Sequence, residues 1–498
     1  MERTSGGPDI RSADRVVVGR TVIDVSGEFA ASLGEGDHVL GIAATGQLRR
    51  LPKHVMSMVD DAVTTAVRAF GELSSIDEAA IDRFFDLAAS RLADDAVFGP
   101  VGVANELDVS NARERGRSTT RLVLSDAMRA DMIGALRMWR DLPAGSGGRV
   151  SEIRHDGWTV EEWRAPLGVI GFVFEGRPNV FADATGVLKS RNTVVFRIGS
   201  DALGTAVALM DAVVRPALAA AGLPEGSVVL VESAEHAAGW ALFSDRRVSL
   251  AVARGSGPAV AELGSIAQQS GVPVSLHGTG GAWILVGETA DSERLASVVE
   301  HSLDRKVCNT MNVVCVHSSA ADRLIPVIWE ASHAAALRRG SKPRIHAVNG
   351  AERQMPNHGE IDVVRSAGRV REPQVTVGEV RDLGHEFEWE ETPEFHVVLV
   401  ESMEDAVKLF NHHSPQFIAS IVSSDAAEVE RVWSTVNAPF FGDGFTRWVD
   451  GQFALLRPEL GLSNWQSGRL FARSGILSGD SAYTVRLRVR QDDPDLHR

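Results

Sequence analysis

Apolar residues recur at helical spacing through residues 55–92, as Val59, Val63, Val67 and Phe70 and again as Ile81, Phe84 and Leu87, which predicts a helical hairpin. The texture before it is short and β-like, with Val16-Val17-Val18 and His38-Val39-Leu40 broken by glycines. Residues 1–14 are rich in Gly, Ser, Asp and Arg, a composition expected to be disordered. More helix is expected between Val101 and Met138, with Arg113, Arg115 and Arg117 on a solvated face. Residues 151–164 then alternate about Asp156-Gly157, with Trp158, Val160 and Glu162 on one side and Thr159, Glu161 and Trp163 on the other. That is a hairpin signal, and the alternating tail at 483–489 offers it a partner strand. From Gly168 to Val286 short apolar strands at 169–174, 194–197, 228–231 and 249–253 alternate with amphipathic helices. Such alternation predicts an α/β fold with a mostly parallel sheet and a ligand crevice at the carboxyl ends of its strands.

Length and composition narrow the class. A chain of 498 residues exceeds one small core, so two or three domains are expected. With 44% hydrophobic and 23% charged residues it has the balance of a globular protein, and a net charge of −15 argues against nucleic acid. No stretch is expected to be apolar for long enough to span a membrane, and the first fifteen residues do not resemble a signal peptide. Two cysteines seven positions apart make neither a disulfide framework nor a metal-ligand pattern, so a cytoplasmic setting and no metal are expected.

The candidate chemistry centres on Cys308, where a polar helix end gives way to an apolar β-branched run, Val313-Val314-Cys315-Val316. A thiol at such a turn reaches a cleft, and Arg305 and Lys306 just before it are expected to favour the thiolate that attacks carbonyls. Cys315, within Val-Val-Cys-Val, reads as strand core. Arg254-Gly255-Ser256-Gly257 falls between a strand and a helix, where glycines let backbone N–H groups approach a phosphate or simply make a tight turn.

Motifs in order carry a resemblance. Pro166-Leu167-Gly168-Val169-Ile170-Gly171, Glu175-Gly176-Arg177-Pro178-Asn179-Val180, Ala182-Asp183-Ala184, Leu188-Lys189-Ser190, Arg254-Gly255-Ser256-Gly257, Val307-Cys308-Asn309, Asn411-His412-His413-Ser414 and Phe445-Thr446-Arg447 with Asp450-Gly451 follow one another at matching separations. Over roughly residues 55 to 490 the chain resembles the aldehyde dehydrogenase superfamily and, within it, the gamma-glutamyl phosphate reductases. The resemblance implies a Rossmann-type cofactor domain, an α/β catalytic domain and an oligomerisation β-hairpin. It implies Cys308 as nucleophile beside Asn309, an oxyanion donor in Asn179 or Arg177, and cofactor contacts from Glu175, Arg197, Ser200, Gly255, Ser256 and Gly257. The expected boundaries are an N-terminal extension to residue 54, a cofactor domain at 55–275 with its hairpin at 151–164, a catalytic domain at 276–435, and a return to the cofactor domain at 436–498.

One absence and several departures sharpen the reading. Hydrolytic aldehyde dehydrogenases use the carboxylate of a Glu-Leu-Gly-Gly motif to activate water, and the corresponding stretch here, Val274-Ser275-Leu276-His277-Gly278-Thr279-Gly280-Gly281, has none. A thioester that water does not attack can be reduced. Asn312 stands where the reductases carry Glu, Arg191 where they carry Gly, Ile198 where they carry Gly, and Ser414-Pro415-Gln416-Phe417 replaces their Gly-Ser-Gly-His. Three functions are therefore carried forward. The first is reduction of glutamyl 5-phosphate or a related acyl phosphate with NADPH, NADH being the alternative. The second is a thioester reductase fed by coenzyme A or a carrier protein, and the third an inactive assembly subunit. The expected partners are a small-molecule substrate and further copies of the chain, as a homodimer or homotetramer, with no nucleic acid and no membrane.

Overall fold

The computed structural model describes residues 14–496 except 118, 120, 357–358, 366–367, 459–464, 467–468 and 471–480. The segment expected to be disordered, 1–14, lies outside the described residues apart from Asp14. The chain divides into two units, one of residues 1–278, 455–461 and 476–498, the other of 279–454 and 462–475.

The first unit opens with two antiparallel pairs, β1 (Arg15–Val18) with β2 (Thr21–Asp24) and β3 (His38–Ile42) with β4 (Gln47–Leu51). The expected helical hairpin follows as Lys53–Leu73 and Glu78–Ala93, and Asp77 starts the second helix by accepting from the Ala79 N–H. Helices Asp95–Glu114 and Asp126–Asp141 come next, then β5 (Arg149–His155) and β6 (Trp158–Pro166). Gly157 turns the hairpin at φ 76°, a left-handed conformation a glycine adopts without steric cost. The tail strand Tyr483–Gln491 pairs antiparallel with β6, so β5 and the tail are the edges of a three-stranded sheet.

The main sheet comprises β7 (Val169–Val173), β8 (Thr193–Arg197), β9 (Val228–Leu230), β10 (Val248–Arg254) and β11 (Val274–His277), parallel and in the order β11-β10-β7-β8-β9. Alternate side chains feed two cores. Ile170, Phe172, Val194 and Phe196 pack with the helices at 78–141 and 203–221, while Val169, Val173, Val195 and Ala251 pack with those at 53–73, 236–244 and 257–269. Sheet order reverses between β7 and β10, which makes the carboxyl ends of these two strands the crevice of the doubly wound sheet. One stretch corrects the sequence expectation about apolar runs. Ser200–Ala221 is long and apolar enough to cross a membrane by length and composition, yet Leu209, Met210, Val213, Val214, Ala217 and Leu218 are buried in the protein core.

The second unit holds a seven-stranded parallel sheet of β12 (Ala282–Val286), β13 (Met311–His317), β14 (Arg344–Val348), β17 (Val375–Val377), β18 (Glu394–Val400), β19 (Ile418–Val422) and β20 (Phe440–Gly442). Its order is β17-β14-β18-β13-β12-β19-β20, and the hairpin of β15 (Glu360–Arg365) and β16 (Gly368–Pro373) precedes β17 in the chain. The pairing of β19 with β20 keeps 440–442 in this sheet. Glu394 at the start of β18 is buried among Arg344, Arg365 and His346, which hold its carboxyl at about 2 against the cost of burial.

Candidate active site

In the first unit the six residues expected to hold a cofactor gather at the carboxyl ends of parallel strands. Glu175 follows β7, and its N–H donates to the Arg254 carbonyl at the end of β10 (3.1 Å). The Gly255 N–H donates to the His277 carbonyl that closes β11 (3.3 Å), and Ser256 immediately precedes the helix Gly257–Gln269. Gly199, between Arg197 and Ser200, lies so near Gly176 that an added Cβ would stand 2.7 Å from its backbone nitrogen. Arg197 itself is 5% exposed. Its Nη2 donates to the Ala234 carbonyl (3.1 Å), its Nε has no partner, and no carboxylate pairs with it among the described residues. Burial holds its pKa down, because a guanidinium away from water loses hydration that nothing replaces.

Arginines surround this edge. Glu175 Oε2 accepts from Arg177 (3.0 Å) and Arg121 (3.4 Å), and Arg254 pairs with Asp183 (2.9 Å). Sequence reasoning missed Arg121, which sits more than fifty positions before its partner. Burial, with Arg254 and Arg177 adding to it, pushes His277 down to about 3, so this imidazole is neutral near pH 7. Asn179 precedes the helix Val180–Thr185 without capping it, and its buried Oδ1 has no hydrogen-bond partner. The amide is therefore not spent on the local Asx turn that Pro-Asn would otherwise suggest.

In the second unit Cys308 lies in the turn between the helix Ser292–Ser302 and β13, half-buried, while Cys315 is buried in β13, where burial pushes its thiol pKa up. Neither forms a disulfide. The turn is tied from several sides. Thr310 Oγ1 accepts from the Val307 N–H (2.9 Å) and donates to the Arg305 carbonyl (2.6 Å), and the Cys308 carbonyl accepts from the Gly281 N–H (2.7 Å). Gly280 is pressed against the nucleophile candidate: a Cβ there would stand 2.5 Å from the Cys308 carbonyl oxygen and 2.8 Å from its Cβ.

Two residues of the sequence reading take further partners here. Asn309 is 5% exposed, its Nδ2 donates to the Val449 carbonyl (2.7 Å), its Oδ1 accepts from Arg447, and its own carbonyl accepts from Thr446 Oγ1 (2.7 Å). An amide bonded at both its oxygen and its nitrogen ties the cysteine turn to residues 446–449. Lys306, expected to favour the thiolate, is 5% exposed and its ammonium is bound to the Glu386 carboxylate, with Glu388 3.9 Å away. Its charge is largely spent inside that pair.

The departures from the reductase pattern also acquire local reasons. Asn312 donates to the His385 carbonyl (2.8 Å) and accepts from the Phe387 N–H (3.2 Å), pinning a segment more than seventy residues away. Arg191 adopts φ 58° where glycine is easier, and its guanidinium donates to the Leu73 and Ile76 carbonyls at the end of the helix Lys53–Leu73. Phe417 turns inward onto Phe440, with ring centroids 5.5 Å apart.

A doubly wound sheet with an arginine-rich carboxyl edge, and a second parallel sheet carrying a cysteine at a strand entrance, give the mixed α/β architecture of aldehyde dehydrogenase-like structures. The aldehyde dehydrogenase family model matches residues 44–349, and the chain belongs to that family. It is an oxidoreductase acting on the aldehyde group. Among its relatives, gamma-glutamyl phosphate reductase of Brucella anthropi is 27% identical over 408 residues, covering 79% of this chain and 87% of that protein. The crystal structure of gamma-glutamyl phosphate reductase from Thermotoga maritima shares the fold with TM-score 0.75 and 24% identity, over 89% of this chain and 100% of that one. Propionaldehyde dehydrogenase of Rhodopseudomonas palustris with bound propionyl-CoA matches with TM-score 0.58 and 16% identity, over 87% of this chain and 94% of that one.

Proposed function

We propose that this protein reduces an acyl phosphate, glutamyl 5-phosphate or a related amino-acid acyl phosphate, to the aldehyde through a thioester on Cys308. The observation that carries the reading is the braced turn at Cys308, together with the likeness to the Brucella anthropi reductase over most of both chains. Cys308 Sγ attacks the acyl carbon, and phosphate leaves as a stable anion that needs no general acid. The oxyanion formed in this step takes the Cys308 backbone N–H, with Asn179 or Arg177 as the second donor carried over from the resemblance. The stretch 274–281 has no carboxylate to activate water, and His277 is kept neutral with little basicity, which favours a thioester that survives for reduction. Lys306 and Asn309 hold the turn in this scheme.

Glu175, Arg197, Ser200 and Gly255–Gly257 are the groups we assign to the nicotinamide cofactor, which supplies hydride when bound. The fit rests on Arg197, a buried cation with an unpartnered Nε at the end of a parallel strand, suited to an anionic oxygen such as a ribose 2′-phosphate. This favours NADPH over NADH. Assembly as a homodimer or larger homo-oligomer is proposed from the hairpin sheet. Ile153, Val160 and Val489 line up across its three strands, Ile153 and Val489 are 51% and 57% exposed, and neither edge strand pairs with a further strand among the described residues. Light scattering giving a particle near the 53.5 kDa chain mass would remove the assembly proposal. A cytoplasmic setting is proposed from two cysteines without a disulfide.

The decisive experiment incubates the protein with NADPH and glutamyl phosphate, or in reverse with glutamate 5-semialdehyde, phosphate and NADP⁺, following cofactor absorbance. Turnover that disappears in Cys308→Ala is expected. Turnover with an acyl-coenzyme A and none with the acyl phosphate would assign the thioester reductase instead, and no turnover with either would favour the assembly subunit.

A further inference from the structure

The carboxylate that the reductases carry four positions after their nucleophile is Asn312 here, and the structure brings a different carboxylate to the cysteine turn. Glu386 Oε2 accepts from the Gly280 N–H (2.5 Å), and Gly280 is the residue whose backbone lies against Cys308. Its Oε1 is bound to the ammonium of Lys306, two residues before the thiol. Both side chains are largely buried, 14% exposed for Glu386 and 5% for Lys306.

The segment carrying Glu386 is held on either side. Asn312 bonds the His385 carbonyl and the Phe387 N–H, and the Phe387 ring stacks on His346 at 4.4 Å and 6°. His346 is fixed in turn by Glu394 (2.8 Å) and Thr376 (2.8 Å). The residue that replaces the missing carboxylate thus anchors the loop that returns one.

The charged and titratable groups around the turn within this unit lie on three segments. On its own approach stand Asp304, Arg305 and Lys306, on the 385–388 segment His385, Glu386 and Glu388, and on the 446–450 segment Arg447 and Asp450. Asp304 pairs with Arg447 (2.6 Å), Arg305 is exposed, and Glu388 is 74% exposed. The strongly desolvated pair at the cysteine turn is Lys306 with Glu386. The geometry points to Lys306 and Glu386 as a matched pair of positioning residues that sets the ionisation of Cys308, Lys306 favouring the thiolate and Glu386 opposing it.

The inference rests on Cys308 as the nucleophile, and its test needs neither acyl substrate nor cofactor. The rate of alkylation by iodoacetamide is followed against pH on the full chain, with the modified peptide assigned by mass spectrometry, since Cys315 is fully buried. Glu386→Gln removes an anion and releases the lysine charge, so the midpoint of the profile moves down by about one pH unit, a tenfold gain in thiolate at a given pH. Lys306→Met leaves the anion uncompensated and moves it up by a similar amount. Lys306→Arg restores the wild-type midpoint, and the double variant lies near it. A pair that only held the loop would shift both single variants the same way or neither, and either result overturns the proposal. If Glu386→Gln does not fold, the Lys306→Met and Lys306→Arg profiles decide alone: no upward shift in the first, or no recovery in the second, has the same effect. Wild-type protein that is not alkylated at Cys308 at any pH would sink the nucleophile reading itself, which an unshifted profile leaves standing.

Discussion

Gly280→Ala tests the braced cysteine turn most directly. The added methyl would stand 2.5 Å from the Cys308 carbonyl oxygen, 2.6 Å from its Cα and 2.8 Å from its Cβ. Ordinary carbon contacts need about 3.5 Å or more, so the turn has to give way by up to about 1 Å. These neighbours include backbone, which has no rotamer in which to escape, and the Gly281 to Cys308 hydrogen bond (2.7 Å) resists separation. Overpacking of this kind costs about 1–3 kcal/mol, a fall in Tm of roughly 2–10 °C for a unit of this size. A nucleophile misplaced by about 1 Å loses roughly a hundredfold in rate, some 2.7 kcal/mol of barrier. The expectation is therefore a kcat lower by about two orders of magnitude, with cofactor KM nearly unchanged and a modest loss of Tm. Gly71→Ala is the control. It lies in the helix Lys53–Leu73 with nothing within 4 Å of the new methyl, and should gain about 0.5–1 kcal/mol of stability with no change in kcat. Steady-state kinetics and calorimetry on the two variants suffice, and a Gly280→Ala enzyme with near-normal kcat would refute the account of the turn.

Arg197→Met should raise the KM for NADPH by tenfold or more while leaving Tm equal or higher, because it removes a buried cation with no carboxylate partner; equal effects on NADPH and NADH would assign it no role in their discrimination. Glu394 has its pKa lowered from 4.5 to about 2, so its contribution is full above about pH 5 and is lost as pH falls through about 2. The shift corresponds to about 3 kcal/mol, and Glu394→Gln should flatten that part of the acid-unfolding curve; an unchanged curve would show the carboxylate is not held this way. Arg191→Ala keeps the left-handed backbone but strips the bonds to the Leu73 and Ile76 carbonyls, so it should lower stability by about 1–2 kcal/mol in urea unfolding, with Arg191→Gly losing less.

What the sequence determined by itself was the local order of elements and the identity of the chemical groups. Helical and alternating periodicities are properties of neighbouring residues, so the helices after residue 53, the hairpin about Gly157 and the strands leading to Arg197 and Arg254 were legible, as was Cys308 at the entrance of a strand. Ordered motifs then identified the family. Tertiary structure alone decided which groups meet. Nothing local relates Glu386 to Lys306 and Gly280, eighty and more residues earlier, or Asn309 to Val449, or Arg191 to the end of a helix at Leu73. Those partnerships add to the chemistry read from the sequence: Asn309 braces the cysteine turn, and Lys306 is half of an ion pair. The physical reason is that burial makes an unpaired polar group costly, so each one takes the partner that the packed chain brings within reach, whatever its distance along the sequence.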